Sequence, residues 1–187
     1  MKIYLPEGLG ILYGLSELGL TVFKRAGKGT SSVDRGSLSL LWIVVLASVY
    51  LAFRLAWALP QLSFGPQPAF EILGIAVFAA GVSLRWYAIV VLGRFFTVNV
   101  AIAQDHRLIE EGPYRFVRHP SYTGSLLAFL GLGICFCNWA SLAALMGPIL
   151  AVFLRRMQVE EAALLAAFGD RYRNYIRRTK RLIPAIY

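Results

Sequence analysis

The residues of this chain that are able to do chemistry fall in two short stretches. The first reads Gly112-Pro113-Tyr114-Arg115-Phe116-Val117-Arg118-His119-Pro120-Ser121-Tyr122-Thr123-Gly124. Pro120 fixes its own φ and disfavours a helical His119, so a helix is expected to begin near Ser121, with Ser121 and Thr123 satisfying free N–H groups of its first turn. Such a helix start, flanked by Arg118 and His119, favours an anion. The bland alternative is an interfacial loop with headgroup-binding arginines and a belt of tyrosines. The second stretch reads Arg155-Arg156-Met157-Gln158-Val159-Glu160-Glu161. Two adjacent carboxylates at the end of an apolar helix are costly, and beside basic residues they point to a buried or liganded role. Arg156 and Glu160 are four apart, which also fits a surface ion pair worth about 0.2–0.5 kcal/mol. Spacing alone leaves both readings open.

The elements that position these stretches are apolar. The chain has 187 residues, 58% hydrophobic and only 16% charged, with a mean hydropathy of +0.62. Soluble domains carry about 25% charge, so the composition excludes an ordinary soluble domain and implies a membrane protein. A span needs about 20 mainly apolar residues, and five segments qualify. Residues 38–59 and 70–92 are the second and third, joined by the turn-rich run 61–68. Residues 122–154 are too long for one span. Cys137-Asn138-Trp139 breaks them into a hairpin, spans four and five. Residues 3–23 are the first span despite Pro6, Glu7 and Glu17. A signal peptide is the competitor, but Lys2 is a thin basic region, Glu17 interrupts the apolar part and no clear small-residue cleavage site follows.

Positive charges set the orientation, because short basic loops stay cytoplasmic. Lys24, Arg25, Lys28 and Arg35 lie between spans one and two, and Arg94, Arg107, Arg115 and Arg118 between three and four; eight more basic residues follow Leu154. The loops at 60–69 and 137–140 have none. With five spans, the N-terminus is expected outside a cell (inner) membrane, with loop 93–121 and the C-terminal tail inside. Both chemical stretches then share the cytoplasmic side. The net charge of +9 is topological and meets anionic lipid headgroups, so nucleic acid is not an expected partner. Cys135 and Cys137 read as small packing residues. After Gly169, tyrosines alternate with arginines at helical spacing up to Arg181, as in an amphipathic helix on the inner leaflet. Leu182-Ile183-Pro184 ends that helix and is expected to pack back on the protein. No repeat or flexible linker divides the chain, so residues 1–187 form one all-α domain. Residues 1–92 hold three spans and residues 93–187 the site.

The motif from Gly112 to Gly124, followed after a hairpin by Arg156, Glu160-Glu161, Phe168-Gly169, Tyr172, Tyr175 and Arg181-Leu182-Ile183-Pro184, resembles the isoprenylcysteine carboxyl methyltransferase family. The related phospholipid methyltransferases share much of this pattern. The resemblance covers about residues 92–187, and the first three spans match only as hydrophobic helices. It implies an S-adenosylmethionine pocket near the cytoplasmic ends of the last helices. By position, that pocket takes Asn99, His106, Arg107, Leu108, Ile109, Tyr114, His119, Pro120, Ser121, Tyr122 and Glu160. Asn99 stands where the eukaryotic enzymes have Gln.

Under that resemblance, Arg156, Glu160 and Glu161 carry the catalytic assignment. Arg156 holds the acceptor, because a guanidinium matches a carboxylate or phosphate bidentately. Glu160 and Glu161 face the cofactor, and no metal is implied. The acceptor is lipophilic and enters from the bilayer: an isoprenylcysteine carboxylate, an aminophospholipid or another small lipophile. Two other classes compete. A sterol-type reductase would bind a nicotinamide dinucleotide in the comparable place, and a non-catalytic scaffold would leave Glu160 and Glu161 without a reason to sit at a membrane boundary.

Overall fold

A computed structural model describes residues 4–23, 37–96 and 107–187. Asn99 and His106 lie outside the described residues. The described chain is helical: α1 Tyr4–Phe23, α2 Ser37–Ala58, α3 Gln67–Leu92, α4 Pro120–Cys135, α5 Trp139–Phe168 and α6 Asp170–Arg178, with short 3-10 turns at Pro60–Leu62, Gly93–Phe95 and Gly112–Arg115. The five expected spans correspond to α1 through α5. By length and composition, three stretches suffice to cross a membrane: Leu38–Ala58, Gln67–Phe95 and Trp139–Phe168. The 16-residue α4 is apolar but only about 24 Å long, short of a hydrocarbon core near 30 Å.

Glycines bring α3 and α4 together. Gly74 and Gly81 on α3 face Gly131 and Gly124 on α4, each pair seven residues apart. A Cβ on Gly81 would lie 2.3 Å from the Ala128 nitrogen, and one on Gly131 would lie 2.3 Å from the Phe78 nitrogen. The two backbones are therefore in contact, which is how helices gain packing where lipid supplies no hydrophobic drive. This seam fixes the height and rotation of α4, and with them the direction in which its first turn faces.

The expected hairpin break is present. Asn138 caps α5 by accepting from the Ser141 N–H at 3.0 Å, and its amide nitrogen donates to the Leu59 carbonyl at 2.7 Å. Ser141 donates to the Ala52 carbonyl at 2.7 Å. One polar pair thus starts α5 and ties it to α2. The 30-residue α5 then runs on for about 45 Å, past the apolar part that ends near Leu154. The part of α5 after Leu154 carries Arg156, Glu160 and Glu161.

Two local details differ from the sequence reading. The α4 helix begins at Pro120 behind His119, with no side-chain cap. Thr123 instead donates to the carbonyls of His119 and Leu182, at 3.2 and 2.8 Å. The buried face of α6, Tyr172 and Tyr175, packs against Leu108, Leu164, Leu165 and Phe168, so its apolar side is spent on protein contacts rather than on lipid. The tail does pack back: Leu182 is buried in the core.

Candidate functional site

The tail fixes the Arg-His-Pro segment through its backbone. The N–H groups of Arg118 and His119 donate to the carbonyls of Lys180 and Arg181 at 2.7 and 3.1 Å. Arg118 Nη1 donates to the Thr179 carbonyl at 2.6 Å, and the Tyr175 hydroxyl donates to the Tyr114 carbonyl at 2.7 Å. The loop before α4 is thereby held against α6, and it presents its side chains at a defined height beside the end of α5.

The two neighbouring carboxylates part company there. Glu161 accepts from Arg118 Nε at 3.1 Å, from Arg181 Nε at 3.2 Å and from Arg181 Nη2 at 2.5 Å. His119 Nε2 also lies 3.1 Å from Glu161 Oε1; a carboxylate only accepts, so that ring nitrogen carries the proton. The hydrogen bonds to Glu161 push the Arg181 pKa above its ordinary value. Glu161 is thus the hub that joins the loop, the tail and α5. Glu160 points elsewhere. Its side chain is 32% exposed, and Oε2 lies 3.7 Å from His119 Nδ1. That oxygen is buried and has no hydrogen-bond partner among the described residues.

Arg156 is only 6% exposed, and its Nε donates to the Tyr122 hydroxyl at 2.9 Å. A solvated surface pair with Glu160 is therefore excluded by burial. His119 and Tyr122 stack edge to face at 5.6 Å between ring centroids. His119, Tyr122, Arg156 and Glu160 line one cavity, which opens to the outside of the protein. Its lining is mixed, with apolar side chains that include Leu41, Trp42, Val45, Phe129 and Phe153 beside the polar ones.

Arg107, Leu108, Ile109, Tyr114 and Ser121 of the expected set also line this cavity. Pro120 is buried but does not reach it, because its role is to start α4. Glu161, expected to face the cofactor, does not line it either: its oxygens are turned into the basic cluster. Sequence reasoning missed Tyr13, Glu17, Arg85, Ser125 and Tyr172, all of which line the cavity. Arg85 and Glu17 were visible as charges inside apolar helices, which by itself marks a functional position.

The residues present fit S-adenosylmethionine. The described chain has two buried side-chain polar atoms without partners, Glu160 Oε2 and the Tyr172 hydroxyl, and both side chains line the cavity. A buried polar atom left unpaired is costly. A ligand offering a cationic or N–H donor group and hydroxyls would satisfy both atoms. Burial pushes the Tyr172 pKa above the usual phenol range, with Glu161 adding to it, so this hydroxyl stays protonated.

A model of the isoprenylcysteine carboxyl methyltransferase family matches residues 72–166. The chain is 34% identical to protein-S-isoprenylcysteine O-methyltransferase B of Arabidopsis thaliana over 115 residues, covering 60% of this chain and 58% of the plant protein. It is 33% identical to the protein-S-isoprenylcysteine O-methyltransferase of Schizosaccharomyces pombe over 119 residues, which is 63% of this chain and 50% of the yeast protein. Among solved structures, a eukaryotic intramembrane Ras methyltransferase superposes with a TM-score of 0.64 at 27% identity, covering 82% of this chain and 55% of that one. The chain spans less than two thirds of the length of each of these proteins. The family match begins inside α3, so the third span is more than a hydrophobic helix. The matched region takes in Arg85, the Arg-His-Pro motif, Arg156 and the acidic pair, and the chain belongs to the isoprenylcysteine carboxyl methyltransferase family.

Proposed function

We propose that this chain is a membrane-embedded methyltransferase that uses S-adenosylmethionine and acts on the carboxylate of a lipophilic acceptor of the isoprenylcysteine type. The observation that carries the reading is the cavity shared by Glu160, His119, Tyr122 and Arg156, in a chain of this family. Its polar side chains suit the cofactor and the reacting carboxylate, and its apolar ones suit a hydrocarbon tail. The relatives named above are methyltransferases, and nothing in the site favours a nicotinamide dinucleotide.

When bound, S-adenosylmethionine supplies a methyl group on a positively charged sulfur. Glu160 offers its unpaired oxygen to the cationic or hydroxyl-bearing part of that molecule. Arg107, Leu108, Ile109 and Tyr114 form the adjacent wall, and Tyr172 provides a neutral hydroxyl. Arg156 receives the acceptor carboxylate on the in-plane N–H donors at the edge of its guanidinium, and Tyr122 holds the guanidinium in place. Holding the reactants in line in this way is worth about 7–11 kcal/mol of the barrier. His119 serves as an orienting group, because a carboxylate nucleophile needs no base. Water displaced from the cavity when both reactants bind favours the neutralisation of opposite charges during transfer. Glu161, bound to Arg118, His119 and Arg181, keeps the wall rigid.

The test is transfer of label from methyl-labelled S-adenosylmethionine to a synthetic prenylated cysteine carboxylate in purified, detergent-solubilised protein. Base-labile label in the acceptor is the expected result, since a carboxyl methyl ester hydrolyses in base. Label appearing only in amine-bearing lipid would move the acceptor to the phospholipid class.

A further inference from the structure

The cavity has a second polar wall that the proposed reaction does not use. Arg85 of α3 donates through Nε and Nη2 to the two oxygens of Glu17 of α1, both at 2.5 Å. Its Nη1 donates to Ser125 Oγ at 2.8 Å and to the Ser121 carbonyl at 3.3 Å. The two side chains remain 12% and 13% exposed, and both line the same cavity as Tyr122 and Arg156. The first turns of α4 thus carry two arginines at one level: Arg156 through Tyr122, and Arg85 through Ser121 and Ser125.

An ion pair placed among apolar helices loses the hydration of both charges, and good geometry with added hydrogen bonds only offsets that loss. Apolar side chains of similar volume would join α1 to α3 at least as well. Its position on a ligand-cavity wall gives the pair a reason to be there. Together Arg85 and Glu17 sum to zero charge while showing donors and acceptors side by side. Such a wall suits an uncharged group that hydrogen-bonds in both directions, and it disfavours a bare hydrocarbon, which would cover polar atoms without replacing their partners. Glu17 lies outside residues 72–166, so a helix beyond the matched region completes this wall.

We infer that the Arg85–Glu17 pair is a specificity-determining element for the methyl acceptor, receiving an uncharged amide- or hydroxyl-type group next to the reacting carboxylate. The inference rests on the methyltransferase reading above. Two synthetic acceptors with the same tail and carboxylate test it, one carrying an amide beside the carboxylate and the other a methylene in its place. The wild-type protein should use the amide form with kcat/KM higher by about tenfold or more, since a site built to hydrogen-bond a group rejects the analogue lacking it. Replacing one partner strands a buried charge, so the informative variant is Glu17→Gln combined with Arg85→Gln. It should keep its stabilisation by S-adenosylhomocysteine and lose the preference. Ser125→Ala, which leaves the charges paired but removes one hydroxyl from Arg85, should reduce the preference and decides the matter if the double variant does not fold. Equal use of both acceptors by the wild-type protein, or an unchanged preference in the variants, overturns the inference. So does failure of the wild-type protein to methylate either acceptor while S-adenosylhomocysteine still stabilises it. Absence of that stabilisation refutes the underlying methyltransferase reading instead.

Discussion

Glu160 and Glu161 are neighbours in sequence and opposites in environment. Glu161 is bound by Arg118, Arg181 and His119, whereas Glu160, whose side chain lines the cavity, holds one buried oxygen without a hydrogen-bond partner among the described residues. Adjacent helical positions point about 100° apart, which is enough to send one carboxylate into a basic cluster and the other toward a ligand. The two Gln variants should therefore behave differently. Glu161→Gln leaves buried basic partners uncompensated and should cost more than about 2 kcal/mol of stability. Glu160→Gln should leave stability nearly unchanged and weaken cofactor binding. Thermal unfolding with and without S-adenosylhomocysteine separates the two, and equal loss of stability in both variants would contradict this division of roles.

Arg156 and Tyr122 form the link between α5 and α4 across the cavity. Arg156→Lys keeps the charge but loses the planar fork, so methyl transfer should fall at least about tenfold while cofactor binding is retained. Tyr122→Phe removes the acceptor of the Arg156 Nε bond and should cost about 1–3 kcal/mol, with a rise in acceptor KM. Wild-type transfer rates in Arg156→Lys would remove Arg156 from the site.

The α3–α4 seam makes a packing prediction that needs no ligand. Gly81→Ala and Gly131→Ala place a methyl group against backbone atoms that cannot move aside, so each should lower the yield of folded protein and reduce thermal stability by several degrees. Gly147→Ala on α5 meets nothing within 4 Å and should stabilise by about 0.5–1 kcal/mol, because alanine is the better helix former. Similar behaviour of all three variants would mean that α3 and α4 are not in backbone contact.

The basic loops predict an orientation that labelling can test. Single cysteines at Gln61 and Arg177, both exposed, should label from opposite faces of sealed vesicles in a background lacking Cys135 and Cys137. Labelling from the same face would refute an outside N-terminus with an inside C-terminus.

Much of this architecture was legible in the sequence. The hairpin break could be read because Cys137-Asn138-Trp139 puts a polar interruption between apolar runs, and the Arg-His-Pro segment because Pro120 disfavours a helical His119 and so marks a helix start. The clustering of the two chemical stretches followed from arginines confined to alternate loops. Other features depend on how helices sit against one another, which periodicity does not encode. Glu17 and Arg85 were each visible as a charge in an apolar helix, but their pairing requires α1 to lie beside α3. The seven-residue spacing of Gly74 and Gly81, and of Gly124 and Gly131, becomes a seam only when the two helices face each other. The division between Glu160 and Glu161 depends on the rotation of α5, and the packing of α6 on protein rather than lipid depends on Leu108 and Leu164 being there to meet Tyr172 and Tyr175.

The most direct test of the account is the ligand that stabilises the purified protein. A ligand that binds only the folded chain stabilises it by about 2.7 kcal/mol at 100 times its dissociation constant. S-adenosylhomocysteine should raise the unfolding temperature by an amount that grows with its concentration, Glu160→Gln should blunt the rise, and NADPH should have no effect. Stabilisation by NADPH with none by S-adenosylhomocysteine would contradict the methyltransferase assignment and place the cavity in the reductase class.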